Sequence, residues 1–224
     1  GQVCFSLGTD TAGSGRVPAA FNNIVGVKPT RGRLSARGVV PACQSLDTVS
    51  IFASTAGDAE GVLDVAADYD EQDPYARPDR VPPLGHGAIP PTGFSFGVPH
   101  PEQLAFFGDP DAERIFYQAV ERLESLGGTP VPVDFEPFLE AARLLYGGPW
   151  VAERYTAIRG FIEQQPTSLM DVTRRIISAG AGSLATDAFH AAHRLEALRR
   201  QSEATWDKVD LVVTPTAGTI YTVD

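Results

Sequence analysis

The apolar positions of this chain follow two rhythms, and the switches between them mark its elements. Residues 2–7, 24–28 and 49–54 are short runs rich in Val, Ile and Phe, and they predict buried strands. Pro18 in a first turn predicts a short helix over 17–23. From Asp58 to Tyr69 the period lengthens to that of a helix, with Val62, Leu63, Val65 and Ala66 on its apolar side. Residues 70–93 are rich in Pro, Gly and Asp and show no period. They predict an irregular connection that wraps the surface or separates two halves.

The alternation then resumes. Phe94 to Pro99 reads as a strand. Asp109-Pro110 supplies a cap and a first-turn proline, and Phe116, Ala119, Val120, Leu123 and Leu126 follow at helical spacing until Gly127-Gly128. Thr129 to Phe135 is the next strand, so this unit predicts a parallel pair with a right-handed crossover. Helices are predicted over 136–145, 150–164, 169–179 and 184–206, and a last buried strand over 210–214. Together these elements predict an α/β fold, layered α/β/α around a mixed, largely parallel central sheet. No internal repeat is present.

Composition narrows the functional classes. The 224 residues suffice for one large domain or two small ones. The net charge is −10 and Lys28 and Lys208 are the two lysines, which argues against a nucleic-acid footprint. Sixteen arginines can still build local anion sites. Cys4 and Cys43 lie far apart and join no Cys/His cluster, so the pattern predicts two free thiols in a reducing cytosol rather than a metal site. No apolar run reaches the about 18 residues that span a bilayer.

The candidate chemistry starts at Gly8-Thr9-Asp10-Thr11-Ala12-Gly13-Ser14-Gly15-Arg16. A serine sits among small residues between a strand and a helix start, where a hydroxyl can be exposed for attack. Gly13 and Gly15 allow close backbone approach to a ligand. Successive N–H groups in such a loop can converge on a developing oxyanion, and the helix dipole can assist. A plain Gly/Ser turn, or a phosphate loop without its lysine, fits the same spacing. The string is not the G-x-S-x-G elbow, and His86, His100, His190 and His193 have no triad-like context. Asp10 and Arg16 flank the loop and predict an internal ion pair that holds it.

A second candidate lies far downstream. On a helix beginning at Trp150, the residues Val151, Tyr155, Ile158, Phe161 and Ile162 form one stripe, and Arg154 projects into it. A buried guanidinium calls for a carboxylate, from the protein or from a substrate held bidentately. Tyr146 precedes Gly147-Gly148, which would let it turn toward the same place. Asp171, Arg174 and Arg175 predict a solvated helix face, and Phe106-Phe107 a core contact.

The segment Gly8 to Thr30 (GTDTAGSGRVPAAFNNIVGVKPT) resembles the core of the amidase signature family. Arg31 to Ala53 and Leu145 to Tyr155 (LYGGPWVAERY) are similar to its allophanate hydrolase branch. The resemblance implies amide hydrolysis by a serine nucleophile, aided by a second serine on a cis peptide and by a lysine. It implies Ser14 as nucleophile, the N–H groups of Thr11, Ala12, Gly13 and Ser14 as oxyanion donors, and Tyr146 and Arg154 as holders of a substrate carboxylate. Ala12 stands where most members carry Gly, as the allophanate branch allows. The family's lysine and second serine precede the nucleophile motif, which implies that residues 1–224 are an interior piece of one amidase domain, inactive alone. No metal or organic cofactor is implied. A biotin-dependent urea carboxylase would act upstream, and a homodimer stays open. A general amidase, a non-catalytic interaction domain and one component of a tRNA amidotransferase stand as alternatives.

Overall fold

A computed structural model describes residues 2–78 and 93–222. The chain divides into two compact units: Gly1–Leu84 with Ala142–His193, and Gly85–Ala141 with Arg194–Asp224. Of the predicted irregular connection, residues 70–78, which form turns, and residue 93 are described; residues 79–92, including His86, lie outside the described residues.

In the first unit, β1 (Phe5–Thr9), β2 (Val25–Val27) and β3 (Val49–Ala53) form an antiparallel sheet of order β1-β3-β2. The register pairs Leu7 and Val27 with Ile51, and Gly8 with Ser50. Odd positions of β3 therefore face one side and even positions the other. The odd face, Ile51 and Ala53 with Val25 and Val27, packs on Ala59, Val62 and Leu63 of α2 (Ala56–Ala66). This helix starts two residues before the predicted position because Thr55 caps it: the Thr55 hydroxyl accepts from the Asp58 N–H at 3.1 Å. The even face meets α1 (Arg16–Phe21), which is shorter than predicted. A Cβ on Gly26 would lie 2.6 Å from the Ala19 Cβ, and one on Gly15 2.7 Å from the Ser50 Cβ. At neither position is there room for a side chain between the sheet and the segment that starts α1.

One expectation fails in this sheet. The predicted buried strand 2–7 is instead β1 at an edge, with Phe5 and Leu7 exposed. Its alternation marks a face correctly, but α2 does not cover that part of the face.

In the second unit, β4 (Phe94–Pro99) lies between β5 (Gly128–Val133) and β6 (Leu211–Val212), all parallel. The predicted parallel pair is β4–β5, connected through α3 (Pro110–Ser125). Asp109 caps α3 by accepting from Asp111 N and Ala112 N, both at 3.0 Å, and Gly127 ends the segment with φ of +92°. Among the described residues of the second unit, Phe96, Phe116, Val133, Leu198 and Val209 are the buried apolar ones. Phe106 packs on Phe116 with ring centroids 5.8 Å apart, but Phe107 is 76% exposed at φ of +53°, so only half of that predicted core contact forms. β6 is shorter than the predicted 210–214 and Leu211 is exposed; Asp210 instead clamps the strand start by accepting from Ser95 N and Oγ. The remaining helices are α4 (Glu136–Gly147), α5 (Trp150–Gln164), α6 (Asp171–Ser178) and α7 (Ala185–Trp206). Helices and a parallel sheet give the α/β class expected from sequence.

Candidate active site

The loop between β1 and α1 is organised around one buried carboxylate. Asp10 is fully buried, and its N–H donates to Thr48 O at 2.8 Å. Its Oδ2 accepts from the Arg16 backbone N–H at 3.1 Å and from Arg16 Nε at 2.9 Å, and its Oδ1 from Arg16 Nη2 at 3.1 Å. Lys28 Nζ lies 3.5 Å from Oδ1. The predicted Asp10–Arg16 pair thus forms, and Lys28 joins it. Burial by itself would raise the Asp10 carboxyl; the Arg16 hydrogen bonds and the two cations outweigh burial and hold it at about 2. Burial pulls the Lys28 ammonium below its ordinary value, and Asp10 opposes that shift.

The same two cations orient the loop's peptides. Arg16 Nη2 donates to Ala12 O at 2.7 Å, and Lys28 Nζ donates to Thr11 O at 3.2 Å. In a trans peptide the C=O and the next N–H point in opposite directions. The N–H groups of Ala12 and Gly13 are therefore turned away from the cations. Gly13 O accepts from Val17 N at 2.8 Å at the start of α1, which turns the Ser14 N–H away from the helix. Among the described residues, no backbone hydrogen bond uses the N–H of Thr11, Ala12, Gly13 or Ser14. Ser14 is exposed at the tip, and Gly15 behind it is buried. The loop thus leaves these N–H groups outside the backbone hydrogen-bond network, beside an exposed hydroxyl.

Tyr146, on α4, and Arg154, on α5, lie side by side. The Arg154 guanidinium carbon lies 5.5 Å from the Tyr146 ring centroid. Arg154 Nε is buried without a hydrogen-bond partner. Among the described residues no protein carboxylate pairs with Arg154. Tyr146 lies in the last turn of α4 rather than beyond it, and Gly148 makes the junction to α5 tight: a Cβ there would collide with Leu144 O.

Two acidic residues that sequence reasoning passed over connect these parts. Asp47 is buried and accepts from the Thr11 hydroxyl at 2.5 Å, from Ala42 N at 2.9 Å and from Cys43 N at 3.1 Å. Glu153 accepts from Ser45 N at 2.7 Å, Ser45 Oγ at 2.5 Å and Cys43 Sγ at 3.0 Å. Burial first, then the Glu153 carboxylate, push the Cys43 thiol up to about 12, so it stays a neutral donor. The sequence signal for Glu153 was only an acid in a first helical turn, which the helix dipole already explains.

His190 and His193 are exposed on α7, and His100 belongs to the second unit. Arg174 and Asp171 pair at 2.7 Å on an exposed face, as predicted. A cavity of about 240 Å³ reaches Asp47 and is lined by Leu34, Arg37, Gln44, Asp73 and Tyr75, but by neither Ser14 nor Arg154. Among the described residues no group of three or more His, Cys, Asp or Glu could hold a metal, and no helix is long and apolar enough to cross a membrane.

The Amidase family model matches residues 1–221. The chain belongs to the amidase family. Within it, the chain is 41% identical over 219 residues to urea amidolyase of Saccharomyces cerevisiae, covering 96% of this chain and 12% of that protein. It superposes on the structure of Kluyveromyces lactis allophanate hydrolase with a TM-score of 0.90 at 40% identity, covering 99% of this chain and 36% of that one. A mitochondrial glutamyl-tRNA(Gln) amidotransferase component of Candida albicans is 31% identical, over 97% of this chain and 56% of its own length. This amidase-family chain thus spans about an eighth of the length of the urea amidolyases it matches.

Proposed function

We propose that this chain carries the acyl-transfer site of an allophanate (urea-1-carboxylate) hydrolase, with Ser14 as nucleophile. Membership in the amidase family supports the reaction type. The observation that carries the substrate is Arg154: a buried guanidinium nitrogen without a partner, stacked on Tyr146 and paired with no protein carboxylate among the described residues. An unpaired buried charge destabilises a fold by several kcal/mol, so a bound carboxylate is its natural complement. Allophanate carries one beside an amide.

Ser14 Oγ adds to the amide carbonyl, and the oxygen takes up negative charge facing the N–H groups of Thr11, Ala12, Gly13 and Ser14. Each well-aimed donor contributes about 3–4 kcal/mol to the transition state. The C–N bond then breaks and ammonia leaves with the serine's proton. Water hydrolyses the remaining ester, which frees Ser14 and releases an N-carboxylated carbamate; loss of its two carboxyl groups as carbon dioxide yields the second ammonia. Lys28 is not the base, because its Nζ is committed to Asp10 and Thr11 O. By family resemblance, a lysine acting through a second serine takes that role. Because the substrate is urea with a carboxyl group on nitrogen, a urea carboxylase must supply it. The amidotransferase reading fits less well: two lysines and a net charge of −10 make a poor tRNA surface.

Two variants of the complete natural polypeptide test this. Ser14→Ala is expected to lower allophanate turnover by at least about 1000-fold in an ammonia-release assay. Arg154→Gln is expected to raise KM for allophanate by about 10–100-fold. Unchanged KM in Arg154→Gln would leave a general amidase with Arg154 in a structural role.

A further inference from the structure

Arg154 has no side-chain hydrogen bond of its own to the protein at Nε, so something else must set where its guanidinium points. Its neighbour in sequence is tightly held. Glu153 receives three hydrogen bonds from the 43–45 segment: Ser45 N to Oε1, and Ser45 Oγ and Cys43 Sγ to Oε2. That segment is itself closed on Asp47, through Ala42 N, Cys43 N and the turn bonds from Leu46 N and Asp47 N to Cys43 O, both 2.8 Å. Asp47 in turn takes the Thr11 hydroxyl. A continuous chain of hydrogen bonds runs from the Thr11 loop to the first turn of α5.

The geometry of α5 gives this chain a purpose. The helix is interrupted at Ile158, with φ of −123° and ψ of 17°. The break separates its first two turns, which carry Arg154, from the buried Ile162; at Val151 and Ala152 these turns also pack closely on Gly180. Consecutive helical residues project about 100° apart. Holding Glu153 on Ser45 and Cys43 thus helps to set the azimuth of Arg154 over Tyr146. The Thr11–Ser14 loop does not depend on the latch alone, because Asp10, Arg16 and Lys28 hold it independently.

We infer that Glu153 is a positioning residue: it latches the first turns of α5 to the 43–45 segment, so that Arg154 meets the carboxylate of a substrate whose amide lies at Ser14. The inference rests on the reading of Arg154 as carboxylate anchor. Losing the latch weakens recognition of the anion while leaving the acyl-transfer loop in place. KM and substrate preference respond, and kcat much less.

The test uses the complete natural polypeptide with two substrates, allophanate and its uncharged amide analogue biuret. Glu153→Gln is expected to raise KM for allophanate about tenfold, with kcat lowered less than about twofold and the preference for allophanate over biuret reduced in parallel. Ser45→Ala leaves α5 unaltered in sequence, retains the backbone donor and should show the same pattern at about threefold. In the double variant Glu153→Gln/Arg154→Gln, the loss should not exceed that of Arg154→Gln alone, as expected of residues acting in series. If Arg154→Gln raises KM while Glu153→Gln and Ser45→Ala leave it and the preference unchanged, the latch is overturned and the anchor survives. Fully additive losses, or an equal fall of kcat for both substrates at unchanged KM, also overturn it. If Arg154→Gln itself leaves KM unchanged, the anchor reading falls, and the latch with it.

Discussion

Asp10 is buried and ionised, and that combination makes the nucleophile loop dependent on pH. Its carboxyl titrates near 3.8 in the unfolded chain and at about 2 in the folded one. Between those values the folded state binds fewer protons, so stability is fully present above the unfolded value and is lost as pH falls toward 2. The single group contributes about 2 kcal/mol at neutral pH. Urea unfolding of wild type and Asp10→Asn, at pH 7 and at pH 2.5, should show the variant weaker by about 2–4 kcal/mol at pH 7 and the gap mostly closed at pH 2.5. An equal gap at both values would mean that the charge on Asp10 contributes nothing. This pair was legible in sequence because Asp10 and Arg16 are six residues apart in one loop. Asp47 and Glu153 were not. The bonds that tie them to the rest of the site, from Thr11 to Asp47 and from Ser45 and Cys43 to Glu153, span 36 and 108–110 residues, and an acid in a loop or a first helical turn has an ordinary local explanation.

At the scale of elements, legibility followed the range of the forces involved. α3 was readable at both ends because its cap and terminating glycine act within a few residues. The burial of β1 was not, since alternation identifies a face but not whether a helix covers it. Glycines show the same contrast and can be tested as a pair. Gly26 lies where β2 meets α1, and an added Cβ would be 2.6 Å from the Ala19 Cβ. Gly26→Ala must push α1 off the sheet, and should destabilise by about 1–3 kcal/mol and lower activity by displacing the loop that precedes α1. Gly61 sits inside α2 with nothing within 4 Å of its would-be Cβ. Gly61→Ala should stabilise by about 0.5–1 kcal/mol through helix propensity and leave activity unchanged. Thermal melts and turnover measured on the two variants decide this. A neutral Gly26→Ala would show that α1 and β2 do not need their close approach.

For the molecule as a whole, two opposing terms govern behaviour in solution: an uncovered apolar face and a large negative charge. Phe5 (47% exposed), Leu7 (53%) and Val65 (87%) border a groove of about 800 Å³ between β1 and α2. β1 pairs with β3 on one side, and its other edge pairs with no strand among the described residues. An apolar edge strand of this kind templates association. Against it stands a net charge of −10, which repels a second copy at neutral pH and low salt. That repulsion disappears near the isoelectric point of about 4.8, and salt of 1 M shortens its range to about 3 Å. Light scattering on residues 1–224 should therefore show association that increases from pH 8 toward pH 5 and with added salt. Leu7→Glu/Val65→Glu places charge on the face itself and should suppress the association at every pH above the isoelectric point. An unchanged scattering profile in that variant would exclude the β1–α2 face as the surface through which copies meet.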